Sequence, residues 1–113
     1  MDIFEKIDSV LKLLNVKFYD TMPTFAENNE PPLYIVYSLY DVPKLWGDGK
    51  LISIEYVITV NIIGTNARKV DKLQIDLLEL FQDNDFAYAG CNYQMDSDFP
   101  KQYRRIMDFK YYL

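Results

Sequence analysis

From Ile52 to Ile62 every even position is apolar: Ile52, Ile54, Tyr56, Ile58, Val60 and Ile62. Between them stand Ser53, Glu55, Val57, Thr59 and Asn61. A period of two predicts a strand with one buried face over Lys50 to Ile63. β-Branched and aromatic side chains suit such a pleated, half-buried surface. The stretch is long enough to cross a small domain at about 3.3 Å per residue, so it reads as the central strand of a sheet. Two other stretches repeat at helical spacing. Ile3, Ile7, Val10 and Leu14 predict an amphipathic helix over Asp2 to Asn15, with Asp2 as a cap and Asn15 closing it in the left-handed conformation. Val70, Leu73, Leu77, Leu80 and Phe81 predict a second over Ala67 to Asn84, with Thr65 or Asn66 as cap.

Three further strands fill the remaining apolar runs. Leu33 to Tyr40 is apolar on both faces, begins after Pro31-Pro32 and is ended by Asp41-Val42-Pro43. Gly47-Asp48-Gly49 then marks a turn, and the pattern predicts an antiparallel hairpin whose loop is too long for a tight two-residue turn. Phe86 to Met95, with Gly90 as a bulge, and Tyr103 to Leu113 predict a second hairpin around the polar stretch Asp96 to Gln102. In the last strand Tyr103, Met107, Phe109 and Tyr111 share one face, and Arg104, Asp108 and Lys110 the other. Val16 to Pro32 reads as a connection, broken by Pro23, Asn28, Asn29, Pro31 and Pro32. Its Phe18, Tyr19, Met22 and Phe25 suggest that part of it packs, on the chain's own core or on a neighbouring subunit. The whole is one domain, residues 1–113, of the α+β class. It is a two-layer α/β sandwich of order α-β-β-α-β-β, with two helices on one face of a mainly antiparallel sheet.

Composition narrows the function. Half of the 113 residues are hydrophobic, 16% are aromatic and ten are tyrosines, so a packed core is affordable and disorder is excluded. Tyrosine suits surfaces dry at one end and wet at the other, such as subunit interfaces and outer strands. The net charge of −5 opposes dedicated nucleic-acid binding and adhesion to anionic membranes. No apolar run approaches the ~20 residues of a membrane helix, and MDIFEKIDSV is acidic where a signal peptide is basic. Cys91 is the only cysteine, which excludes an intrachain disulfide and is compatible with a reducing cytoplasm.

The chemistry of catalysis is sparse. There is no histidine, hence no Ser-His or Cys-His pair and no ordinary zinc site. The four glycines form no phosphate loop, and Asp83, Asp85, Asp96 and Asp98 lack the spacing of a calcium loop. The reading is a protein that is no enzyme and takes no cofactor and no metal.

Several residues point instead to contact with other chains. Trp46, near the tip of the first hairpin, either folds back or anchors an interface. Arg68 and Lys69 open the second helix while Glu79, Asp83 and Asp85 close it, against the helix dipole. Such an order either arises by chance, at a cost of at most about 1 kcal/mol for each charge, or fits opposite charges on another subunit. Lys101, Arg104 and Arg105 surround Tyr103 as a small basic cluster, set among Asp96, Asp98 and Asp108. The candidate interface residues are therefore Trp46, Phe25, Tyr40, Tyr103, Arg104, Arg68 and Lys69.

The run PPLYIVYSLY, the Gly-Asp-Gly turn, the strand IEYVITVNIIGTN, the helix KVDKLQIDLLELF and the end YQMDSDFPKQYRRIMDFKYY follow one another from Pro31 onward. In this order they resemble the tail terminator, or head–tail joining, family of long-tailed bacteriophages, some members of which are labelled minor capsid or tail-completion proteins. The resemblance implies a structural virion or prophage protein, made in the host's cytoplasm, with no catalytic residues. It implies a ring, often a hexamer, that caps the tail tube and joins it to the head. Partners would be copies of itself, the tube and the head connector. DNA would pass the lumen without specific binding, and an acidic chain suits such a lumen because like charges repel. Two alternatives stand beside it: another tail or connector component, such as a tube or minor capsid subunit, and a small non-enzymatic ligand-binding or regulatory domain.

Overall fold

The computed structural model describes the backbone of residues 2–25, 30–47, 50–96 and 102–112, and their side chains except those of 42–53 and 91–101. Helix α1 (Ile3–Leu11) starts on Asp2, whose carboxylate accepts from the Glu5 amide at 2.8 Å. It tightens into a 3₁₀ turn (Lys12–Leu14) and ends at Asn15, left-handed with φ 56°. Strand β1 (Lys17–Tyr19) follows, then β2 (Leu33–Gly47), β3 (Lys50–Gly64), α2 (Ala67–Asp83), β4 (Ala87–Asp96) and β5 (Gln102–Tyr112). Asn66 caps α2 by accepting from the amides of Arg68 and Lys69.

The strands form a single five-stranded sheet of order β1-β2-β3-β5-β4, with β3 in the middle. β1 runs parallel to β2, and every other pairing is antiparallel. The register sets Ile58 between Leu39 of β2 and Phe109 of β5. The even-numbered residues Ile58, Val60 and Ile62 are fully buried, together with Ile35 and Tyr37 of β2 and Met107 and Phe109 of β5. Over them lie Ile7, Val10 and Leu11 of α1, and Val70, Leu73, Leu77 and Phe81 of α2. Both helices thus cover one face, as the period-two and period-four patterns require. Tyr37 crosses between the layers, its hydroxyl donating to Asp8 of α1 at 2.7 Å.

Three sequence expectations need correcting. The stretch from Val16 to Pro32 is not all connection, because Lys17–Tyr19 adds an edge strand paired with Tyr34–Val36. Three residues carry too short a pattern to separate a strand from a loop. Nor does Asp41-Val42-Pro43 end the second strand: β2 runs on to Gly47, with register shifts between Pro43 and Trp46 that absorb the proline. The first hairpin is consequently tight, Gly47 pairing with Lys50. The expected bulge is present, between Tyr88 and Gly90, where Gly90 has φ +146°.

The long hairpin outreaches its neighbours. β5 pairs with β3 no further than Glu55, opposite Tyr112, and β1 pairs with β2 no further than Val36. From Lys50 to Ile54, β3 has only β2 beside it among the described residues. Residues 42–47 and 50–54 therefore project as a two-stranded arm, and the molecule measures 54 Å along its longest axis against 27 and 25 Å.

Candidate functional site

The face of the sheet turned away from the helices divides into two halves. Near the start of β2 the chain covers that face itself. Phe25 meets Tyr34 and Tyr19 edge-on, with ring centroids 5.2 and 5.9 Å away. Tyr34, Val36 and Ile63 are buried beneath. Glu30 locks this cover by accepting from the Tyr34 hydroxyl at 2.7 Å and from Gln102 Nε2 at 2.6 Å. Burial first, and then this bond to Glu30, hold the Tyr34 hydroxyl well above the ordinary tyrosine range, while Arg104 pulls the other way. Tyr37, on the helix face, is raised for the same first reason and by its bond to Asp8.

The half towards the arm has no such cover among the described residues. It forms a bowl of about 480 Å³ walled by Tyr40, Val57, Ala89 and Thr59. In its floor Glu55 is 2% exposed. A carboxylate so enclosed is costly unless paired. Lys110 Nζ supplies the pair at 3.2 Å, and the Tyr112 hydroxyl lies 3.5 Å from the same oxygen. The register explains this, since Glu55 faces Tyr112 on β5 with Lys110 two residues earlier on the same face. Beside them the Thr59 hydroxyl donates to Asp108 at 2.8 Å. Tyr40 and Tyr112 are each 57% exposed at the rim.

A second depression, of about 340 Å³, lies between the 3₁₀ turn and the second half of α2. Leu13, Leu14 and Leu80 line it with Asp76, Glu79 and Asp83. Leu13 is 70% exposed and Ile75, on the next helix turn, 58%.

The candidates named from sequence scatter over these surfaces. Tyr40 stands at the bowl. Phe25 is half-buried and packs on its own sheet against Tyr19 and Tyr34. Arg104 lies on the covered half, opposite Ile63, with its Nε buried and without a hydrogen-bond partner among the described residues. Tyr103 is half-buried and packs on the main core. Arg68 and Lys69 are exposed in the first turn of α2. Trp46 is the last residue but one of β2, opposite Leu51; its side chain lies outside the described set. Asp96 and Asp98 of the conceivable cation cluster also lie outside it, and the described residues contain no group of three or more potential metal ligands.

The pair Glu55–Lys110 was missed because an alternating pattern assigns Glu55 to the wet side. The available signal was the cross-strand pairing of opposite charges once the last strand is laid beside the third. No described helix is long and apolar enough to cross a membrane. No protein-family model matches the chain, and a search of curated proteins finds no relative.

Proposed function

We propose that this chain is a structural virion protein of a long-tailed phage neck, a tail terminator or head–tail joining protein that assembles as a ring, a hexamer, capping the tail tube. The observation that carries the reading is the two-stranded arm. Isolated two-stranded ribbons are marginal in water. This one has the composition VPKLWG and KLISI, in which Val42, Leu45, Trp46, Leu51, Ile52 and Ile54 are of types that favour burial. Its outer edge, Tyr37 to Gly47 of β2, is open among the described residues. An open edge of that length is ordinarily paired or covered. A second copy meets the need, and closed rings are built from such unlike patches meeting head to tail.

The bowl supports the same reading, since it leaves two tyrosines at the rim of an uncovered sheet face. The net charge of −5 suits a lumen through which DNA slides. Partners on this proposal are further copies, the tube below and the connector above, with the protein residing in the virion after assembly in the bacterial cytoplasm. It is no enzyme and needs no cofactor.

Electron microscopy of the purified chain, alone and with tail tubes, is the test. Single rings, or rings seated once at a tube end, are expected. Indefinite stacking would make it a tube subunit, and a basic ring lumen would sink the charge argument. A monomer that leaves tubes uncapped would overturn the proposal in favour of a small ligand-binding domain using the bowl.

A further inference from the structure

We propose that the groove between the 3₁₀ turn and α2 receives the basic first turn of α2 from the next copy, so that the ring is closed by head-to-tail electrostatic contact along this helix. The inference rests on the ring reading and specifies its contact.

The charges of α2 run against its dipole. Its first turns carry Arg68, Lys69 and Lys72, and its later ones Asp76, Glu79 and Asp83. A helix is positive at its N-terminus and negative at its C-terminus, so Arg68 and Lys69 in the first turn and Asp83 in the last sit at the unfavourable end, while Lys72, Asp76 and Glu79 extend the same inverted order inward. Neither group repairs this within the chain: among the described residues, none of the six makes an ion pair. Asp71, between them, pairs with Arg105 of β5 at 2.7 Å, which shows that the fold does pair a helix charge where it needs one. The inverted order therefore costs the lone subunit stability and brings it no contact.

The groove adds what a bare row of acids lacks. Leu13, Leu14 and Leu80 give it an apolar floor, and Leu13 is left 70% exposed. Acidic walls over an apolar floor fit a cationic side chain with a long aliphatic stem, which covers the floor while its head meets the walls. Arginine and lysine are such side chains, and Arg68 and Lys69 are exposed on the same chain. The donor and the receptor lie at opposite ends of a helix about 25 Å long. Being unlike and well separated, they make a heterologous contact, which repeats from copy to copy until a ring closes. The apolar floor adds buried area, while the charges set the register and speed the encounter.

Two charge-reversed proteins test this by sedimentation velocity at low and high salt. One carries Asp76→Lys with Glu79→Lys; the other carries Arg68→Glu with Lys69→Glu. Wild type is expected to form rings that weaken at least tenfold as salt rises from 50 to about 500 mM, because exposed charges are then screened. Each reversed protein alone should self-associate at least tenfold more weakly, while its thermal midpoint equals or exceeds that of wild type. An equimolar mixture should recover the wild-type species, since each reversed surface then meets its complement. Rings that form equally well from each reversed protein overturn the contact and leave the ring reading standing. Failure of the mixture to recover, with both proteins folded, overturns it likewise. A species that stops at two copies is an antiparallel two-fold pair and overturns the head-to-tail arrangement. A wild-type chain that stays monomeric, alone and on tail tubes, overturns the ring reading itself.

Discussion

Gly64 closes β3 and leads into α2, and adding one methyl there should show how tightly the two layers meet. A Cβ built on Gly64 would stand 2.8 Å from Val70 Cγ2, 2.9 Å from Leu33 Cδ1 and 3.2 Å from the Pro32 carbonyl oxygen. The first two are side-chain ends, but Val70 is fully buried and its room to turn is small. The third is backbone, and it is held in place by the Thr65 amide at 3.1 Å. Gly64 does not use the left-handed region, so backbone strain is not the issue. Removing a glycine's freedom in the unfolded chain would by itself stabilise by about 0.4–1 kcal/mol. Overpacking a filled site costs about 1–3 kcal/mol. The contact wins, and Gly64→Ala should destabilise by about 1–2 kcal/mol. For a chain of this size that lowers the thermal midpoint by about 4–8 °C. Circular dichroism melts, with urea titration showing a lower midpoint and an unchanged slope, are the assay. Val70→Ala should restore part of the loss in the double variant, giving a coupling of about 0.5–1 kcal/mol. A Gly64→Ala midpoint equal to or above wild type would refute the reasoning, because it would mean that the helix and strand ends are loosely packed.

Other perturbations probe the polar groups. Lys110→Met should cost about 1–3 kcal/mol in urea titrations by removing a cation that pairs with the buried Glu55, and Glu55→Gln in the same chain should recover part of it. Both Tyr34 and Tyr37 hold their protons above the ordinary tyrosine range. The stability they contribute is therefore present below about pH 10 and lost as pH rises beyond it, by up to about 1.4 kcal/mol per pH unit for each. Tyr37→Phe should accordingly flatten the alkaline fall in melting temperature while costing about 0.5–1.5 kcal/mol at neutral pH. Asp83→Lys and Arg68→Glu, which realign α2 with its dipole, should each raise the stability of the isolated chain by about 0.3–1 kcal/mol in low salt; a fall in either would contradict the inverted-charge argument.

How much of this was legible in the chain depends on what each pattern encodes. Periodicity reports one side of an element, and it located β3, both helices and the core, since Ile58, Val60, Ile62, Leu73, Leu77 and Phe81 follow it and are buried. It also paired the strands into two antiparallel hairpins, though it ended the second strand short, while the glycine itself marked the bulge at Gly90. Punctuation misled where tertiary pairing overrode it. Pro43 reads as a strand end, yet β2 passes through it because its outer edge there carries no ladder among the described residues. Lys17–Tyr19 is a strand only because β2 lies beside it. The polar clusters required the register as well. Glu55 becomes an interior residue once Lys110 and Tyr112 are known to stand across from it. The groove required the contact of the 3₁₀ turn with α2, which no local pattern contains. Of the surface candidates, Tyr40, Arg68 and Lys69 are exposed, whereas Phe25 and Tyr103 are engaged with their own chain.

The contrast between the two halves of the outer sheet face bears most directly on function. Where the chain had a segment to spare, it covered the face with Phe25, buried Tyr34 and Ile63, and secured the cover through Glu30. The other half carries an internally neutralised pair, Glu55 with Lys110, and a satisfied Thr59–Asp108 bond, under two exposed tyrosines. Such a surface is stable in water and still gains by being covered, since its charges are already paired and its rim is aromatic. An arm that projects past the sheet, and a helix whose charges run against its dipole, have the same property. Each costs the single subunit a little and, on the proposed ring, would be relieved by a neighbour. Three such features on one small chain are the pattern expected of a part shaped to be completed by its own copies, with stability withheld from the monomer and released on assembly.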